Sequence, residues 1–407
     1  MLLLWAADGA AAGCLTASRD ISLRGMEMKL GPWPIGIDNL SPDEALPDGA
    51  LRDALNVVLD SDGNVSAAGS LQLREPSAGL HSLCSFPSGA AFCFGQGKLF
   101  DCSSGALVEL ADMPVDGPVA CELLNGQLVM ATRSGLFRLQ GEQVEPMALP
   151  VPALRARSAS AGGLYAGRYG VAISFRRGDE EGGLSRMQVV EVAEGGGIEL
   201  DLPEVDGATA VSVYRTDANG AALYRALDAP PGFQSFLVGA GKLGAMPGTR
   251  FLEPLPGGHI VKAWMGRQLV ASGRTLYYSA PLRYGLCNPA QDFIQLPSLI
   301  RMVLPVNDGI YLADSQRCYR LAGTDPEQWQ LLPLDVSPPP AGAAAVLDGS
   351  LFQDVPAVPV AVWLSDKGFV LGLPEGQLVL AQEKRLRLPM PGRGWLVADG
   401  HRLYAGG

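Results

Sequence analysis

The chain has 407 residues, 47% of them hydrophobic and only 18% charged, with 51 glycines, 31 prolines and a formal net charge of −11. So many turn formers among short Val, Leu, Tyr and Phe runs exclude a helical bundle and point to an all-β design. The excess of 42 Asp and Glu over 31 Lys and Arg argues against nonspecific nucleic-acid binding, and no stretch of about 18 uninterrupted apolar residues offers a membrane helix.

The first segment, MLLLWAADGAAAGC, ends in a lipobox-like Ala-Ala-Gly-Cys that would make Cys14 a lipidated residue. Yet no Lys or Arg precedes the apolar run, and Asp8 interrupts it, so the n-region and h-region of a signal peptide are missing. Met26 and Met28 sit directly before the first ordered-looking segment. Residues 1–28 therefore read as an unstructured extension or as a start site placed too early.

Residues 29–75 read as an arm. Asp48 is a plausible N-cap, and Leu51, Ala54 and Leu55 recur at helical spacing, which predicts a helix of about two turns. A helix that short must lean on something else. Val57 and Leu59 then alternate up to Asp62-Gly63, a dipeptide suited to a two-residue hairpin turn, and Val65 begins the return strand. Asp60-Ser61-Asp62-Gly63-Asn64 resembles a calcium loop, but position twelve is Leu71 where a closing Glu is needed, so the turn is the better reading.

From residue 76 a repeat sets in: a turn, an alternating strand ending in a small residue, a short gap and another strand. Its copies are SGAAFCFGQGKLFDCSSG (88–105), NGQLVMATRSGLFRLQG (125–141), MGRQLVASGRTLYYSAP (265–281), NDGIYLADSQRCYRLAG (307–323) and PAVPVAVWLSDKGFVLGLPEGQ (356–377). RGWLVADGHRLYAGG (393–407) is a truncated copy. A hairpin of this kind cannot bury its own apolar face, and a period of roughly 40 residues matches a four-stranded propeller blade. Residues 76–150 are thus expected to form the first blades, and 257–407 the remaining blades, with the last half-unit closing the ring.

Residues 151–256 interrupt the repeat. GVAISF, MQVVEV, GIELDL and AVSVYR alternate strictly, and turns fall every 8 to 12 residues, as in an immunoglobulin or fibronectin III β-sandwich. No Cys-Trp-Cys trio is present, which favours the fibronectin version. The fold expected is all-β: a β-propeller with an inserted fibronectin III or immunoglobulin-like sandwich. Pro150-Val151-Pro152 and Pro254-Leu255-Pro256-Gly257-Gly258 are the hinges.

Chemistry is sparse along this chain. None of His81, His259 and His401 lies in a zinc-hydrolase or serine-hydrolase motif. Seven cysteines, at 14, 84, 93, 102, 121, 287 and 318, show no C-x-x-C spacing and read as free thiols of a reducing cytoplasm. Cys84, Cys93 and Cys102 sit in strand-like runs, where each serves as a small hydrophobe. Asp308, Asp314, Asp366 and Asp399 lie in repeat turns and could form a glycosidase pair if a central funnel gathered them, but aspartate in a turn is the default. Trp264, Tyr277, Tyr278, Trp329, Trp363 and Trp395 read as blade packing rather than a sugar platform. Arg155, Arg157, Arg168, Arg176, Arg177 and Arg186, and likewise Lys384, Arg385 and Arg387, read as solvated surface. No catalytic, cofactor-binding or metal-ligating residue is assigned, and no cofactor is expected.

PIGIDN-x(5)-EALPDGALRDALNVVLDSDGNVSAAGSLQL with GLHSL after it, YGVAISF...EEGGLS...VSVYRT, and WMGRQLVASGRTLYYSAPLRYGLCNPAQDFIQLPSLIRMVLPVNDGIYLADSQRCYRLAG together resemble a family of tailed-bacteriophage virion proteins. These are the tail nozzle proteins, also called tubular tail protein B or packaged-DNA stabilisation protein. The resemblance spans residues 33 to about 330. It implies a homo-oligomeric ring, six-fold in that family, that meets the portal or adaptor and a tail fibre or needle and continues the DNA channel through an acidic lumen. It further implies a non-enzymatic protein made in the host cytoplasm and resident in the virion tail, away from any membrane. Two alternatives stand beside it: a propeller glycoside hydrolase acting on cell-envelope polysaccharide, and a secreted or lipid-anchored propeller that binds surface partners.

Overall fold

The computed structural model describes residues 2–5, 22–23, 26–27, 32–54, 57–59, 62–67, 79–115, 117–232, 235–380, 382–399 and 402–406. Cys14, Met28, Leu55 and Asp60 lie outside them. The chain divides into two compact units, Ser77–Gln295 and Met1–Pro76 with Leu296–Gly407. No helix of the described residues is long and apolar enough to cross a membrane.

Five four-stranded antiparallel sheets carry the architecture among the described residues, each a simple meander in chain order. In the first unit, blade 1 is His81–Ser85, Ala91–Gly95, Lys98–Asp101 and Val108–Asp112. Blade 2 is Ala120–Leu124, Gln127–Ala131, Leu136–Gln140 and Gln143–Pro146, and blade 3 is Ile260–Trp264, Arg267–Ser272, Thr275–Tyr278 and Phe293–Gln295. The first strand of blade 2 lies beside the first strands of both blade 1 and blade 3.

Period-two alternation explains how blade 2 serves two neighbours at once. Cys121, Leu128 and Met130 pack against Phe94 and Leu99 of blade 1, whereas Leu124, Val129, Ala131 and Leu136 pack against Val261 and Val270 of blade 3. A middle blade is buried on both faces, so its strands read as continuous apolar runs such as QLVMA rather than as half-polar ones.

The second unit repeats the scheme. Blade 4 is Met302–Val306, Gly309–Ala313, Cys318–Ala322 and Gln330–Leu334; blade 5 is Ala344–Asp348, Pro359–Ser365, Gly368–Gly372 and Leu378–Leu380. Ala361, Trp363 and Val370 face Tyr311 and its neighbours in blade 4. The alternate residues Val360, Val362, Leu364, Phe369 and Leu371 face Leu386, Leu388 and Ala405. Trp395–Asp399 and Arg402–Gly406 form the short final hairpin, and Leu2–Trp5 pairs with its second strand in parallel. Part of the stretch expected to be unstructured is thus strand.

The arm departs from expectation in two places. The helix through Leu51 and Ala54 does not form: Ala50–Leu51 pairs in parallel with Gly36–Ile37, and among the described residues of the arm helical turns are limited to a 3₁₀ turn at Asp43–Ala45. A two-residue strand bridge wins because an isolated two-turn helix has little intrinsic stability to oppose it. The hairpin forms, but Leu59 faces Val65, so the connection is longer than Asp62-Gly63 alone. Gly63 has φ +81° and takes a hydrogen bond from Trp33 N at 2.8 Å. A Cβ there would lie 2.2 Å from Pro34 N, so the turn is shaped around a crossing backbone that only glycine admits.

The interruption is the expected sandwich. One sheet contains Arg155–Leu164, Gly196–Asp201 and Phe236–Val238. The other is built on Gly167–Arg177, flanked by Glu180–Glu181, Gln188–Val192, Ala210–Arg215 and Tyr224–Ala229. Val171, Ile173, Ile198, Leu200, Val211 and Val213, all buried, close the core between the sheets.

Candidate functional site

The carboxylates singled out in the repeat turns are dispersed. Asp308 lies in the turn after the first strand of blade 4 and Asp314 directly follows its second, at the other end of the strands. Asp308 Oδ2 accepts from Arg320 Nη2 and from the Glu375 backbone N–H in the last turn of blade 5. Tyr311 OH donates to the Leu373 carbonyl nearby, so this corner latches blade 4 to blade 5. Asp366 accepts from Ser337 Oγ and Arg387 Nη1, and no side-chain position is described for Asp399.

Asp314 is fully buried and accepts from the backbone N–H groups of Gln316 at 2.7 Å and Arg317 at 2.8 Å. Burial alone would raise its pKa, but those donors outweigh it and hold the group below the ordinary 3.8. A depressed folded-state pKa contributes stability that is complete above 3.8 and is lost as pH falls through the lower folded value. Asp314→Asn should therefore cost about 1–2 kcal/mol at neutral pH. Denaturant midpoints measured at falling pH should show the gap from the parent closing in acid; a gap constant with pH would refute the charged role.

The histidines and aromatics take structural places. His81 Nδ1 lies 2.9 Å from Ser82 Oγ, His259 is exposed, and His401 lies outside the described residues. Trp264, Tyr278 and Trp363 are buried, Trp329 Nε1 donates to the Gly323 carbonyl, and Trp395 is exposed. Among the described residues no group of three or more His, Cys, Asp and Glu side chains could hold a metal ion.

The basic run is where the structure corrects the sequence. Arg155, Arg168 and Arg186 are exposed, but Arg176 and Arg177 keep only 19% and 13% of their side chains in solvent. Arg177 donates to Glu180, to the Pro146 carbonyl at 2.9 Å and to the Met147 carbonyl at 3.1 Å. From blade 2, Arg138 reaches the same Glu180 with two parallel bonds of 2.5 and 2.9 Å while its Nε holds Glu145 at 2.7 Å. Burial opposes the charge on Glu180, yet the two guanidinium groups outweigh it and lower its pKa.

This clamp ties the sandwich hairpin to blade 2 and forms one wall of a cleft of about 650 Å³. Met147, Leu282 and Arg283 contribute to the rest of its lining. Next to it, Glu181 Oε1 accepts from Tyr214 OH at 2.6 Å and Ser174 Oγ at 2.7 Å. Burial first, and that carboxylate second, push the Tyr214 phenol up. Glu145, Glu180 and Glu181 are each engaged by fixed donors, so the arrangement fastens the sandwich to blade 2. Sequence reasoning missed Arg138 and Glu180 because each finds its partner in the other module, and Glu145 and Glu181 because their partners lie on other strands.

Four-stranded meanders stacked through alternate strand faces, with a sandwich between two of them, define the class: an all-β protein of the β-propeller type. No family model and no curated protein matches the chain. Among solved structures it is similar to streptogramin B lyase, at 11% identity over 79% of this chain and 86% of that one, with a TM-score of 0.33. BBS1N in complex with ARL6DN gives 13% identity, 80% and 86% coverage and a TM-score of 0.31. Sqt1 of Saccharomyces cerevisiae gives 11%, 72%, 95% and 0.22. TM-scores of this size carry no argument about function.

Proposed function

We propose that this chain is a structural component of a tailed-phage virion, a tail nozzle or hub subunit that assembles with copies of itself into a ring and catalyses no reaction. The observation that carries the reading is the clamped sandwich. Its edge strands Gln188–Val192 and Phe236–Val238 leave Val189 52% and Leu237 47% exposed, while Arg138 and Arg177 hold the module fixed on blade 2. Open edges with apolar side chains on a rigid module suit coverage by a neighbouring subunit.

The sequence likeness to tail nozzle proteins supplies the kind of assembly: a ring, six-fold by that likeness, between a portal or adaptor and a fibre or needle. The net charge of −11 suits a channel that lets DNA pass without holding it. A glycosidase would need two carboxylates flanking one bond, and the bonding of Asp308, Asp314 and Asp366 gives that reading no support.

Negative-stain electron microscopy with mass photometry of the purified chain tests this. Rings are expected, and Val189→Lys combined with Leu237→Lys should shift them to monomers without loss of fold. Monomers at every concentration, or rings indifferent to the double substitution, would count against the assembly surface named here.

A further inference from the structure

Strand His81–Ser85 carries an irregularity that the sequence does not announce. His81 faces Phe94 and Cys84 faces Phe92, so Ser82 and Leu83 together stand opposite one residue of the next strand. This is a β-bulge, and Ser82 adopts φ +54°, a left-handed conformation that a non-glycine residue rarely takes. The strain is held in place by a tether: Ser82 Oγ accepts from the backbone N–H of Val119 at 2.9 Å, at the entrance to blade 2.

The bulge sends Leu83 outward, where it is 72% exposed, and turns Cys84 into the seam between blades 1 and 2. There it packs in the same cluster as Cys121, on the first strand of blade 2. The Cys121 S–H, then the Cys121 backbone N–H and last the Lys262 ammonium stabilise a thiolate at Cys84 against burial and against Glu122, so its pKa is lowered. Lys262 comes from the first strand of blade 3 and is paired with Glu122 at 2.9 Å. Cys121 moves the other way, because its proton is shared with Cys84 and it is buried. Cys84 keeps partial access to solvent while Cys121 is almost covered.

We propose that Cys84 and Cys121 form a reversible disulfide that staples blade 1 to blade 2, with Cys84 as the sulfur that reacts first. The oxidant is hydrogen peroxide. The Cys84 thiolate attacks one peroxide oxygen, the O–O bond breaks and a sulfenic acid forms as the first water leaves. Cys121 sulfur then attacks the Cys84 sulfur; its thiol proton and the departing hydroxyl form the second water as the S–S bond closes. Two thiols and one peroxide thus give one disulfide and two waters, and a dithiol reductant reverses the change by two exchange steps.

A second pair provides an internal contrast. Cys93 and Cys102 also interact, but burial pushes Cys93 up to about 11 and raises Cys102 as well, so neither is primed as a nucleophile. Both pairs lie within blade 1 and its seam, and they see the same dose of oxidant.

The test is peptide mapping of the folded full-length chain after limiting hydrogen peroxide, alkylation of residual thiols and non-reducing digestion. A Cys84–Cys121 linked peptide should appear before any Cys93–Cys102 link, disappear on dithiothreitol, and be accompanied by a rise in thermal midpoint. In Cys121→Ser, dimedone should trap a sulfenic acid on Cys84; in Cys84→Ser, Cys121 should stay unmodified. Circular dichroism confirms that both near-isosteric variants are folded. Absence of the linked peptide, its formation only in denaturant, prior linkage of Cys93 with Cys102, or trapping on Cys121 alone would each overturn the proposal.

Discussion

Trp363→Ala is expected to destabilise the unit that contains blades 4 and 5 by about 3–5 kcal/mol, the range for emptying a large buried aromatic site. The indole is fully buried and is the largest side chain so enclosed among the described residues. It packs at a tilt against Tyr311, at 5.7 Å and 41°, and the Tyr311 hydroxyl is in turn fixed to the Leu373 carbonyl, so collapse around the cavity is opposed by a bonded neighbour. Trp363→Phe provides the contrast. Trp363 Nε1 has no hydrogen-bond partner, so phenylalanine gives up some volume but also removes a buried unsatisfied donor, and the two effects offset. Denaturant unfolding followed by hydrogen exchange in residues 359–372 should show the alanine variant far below the parent and the phenylalanine variant within about 1.5 kcal/mol of it. Equal losses in both would mean that the indole N–H matters and that packing is the wrong account.

The prediction also shows what the sequence disclosed. PVAVWLS and QLVMA are legible as strands because they are apolar, bounded by turn residues and recur at blade spacing. Their uniform greasiness, which periodicity alone could assign to a helix, follows from burial on both faces. The sandwich was legible through GVAISF and AVSVYR, whose alternation survives the fold. Local signals failed where a distant segment decided the outcome. Leu51 and Ala54 carry a helical spacing, but Gly36–Ile37 captures Ala50–Leu51 into a strand pair. Arg177 looked like one member of a solvated basic run, yet carbonyls of Pro146 and Met147, at the end of blade 2, enclose it. Cys84 looked like a small hydrophobe because neither the bulge at Ser82 nor the approach of Cys121 is encoded nearby.

Removing Arg138 should have the second-largest effect, about 2–4 kcal/mol. Breaking a buried ion pair typically costs 3–5 kcal/mol, and the discount reflects the exposure of one partner. The Arg138 side chain is 12% exposed, Glu145 26% and Glu180 53%. Alanine at 138 leaves the two carboxylates sharing Arg177 alone, which lies 3.4 Å from Glu145 and 2.9 Å from Glu180. Glu180→Ala should cost less, about 1 kcal/mol, since its charge can be resolvated and a half-exposed pair is worth little by itself. If the fork between Arg138 and Glu180 is what joins the sandwich to blade 2, the double variant should fall short of the sum by about 1–2 kcal/mol. The same coupling should weaken as salt rises, because Glu180 faces solvent, while the Arg138–Glu145 contribution should hold. Thermal unfolding of the four proteins at two ionic strengths completes the cycle. Additivity within about 0.5 kcal/mol would mean that the sandwich is held by its apolar contacts and that the charged fork merely accompanies them.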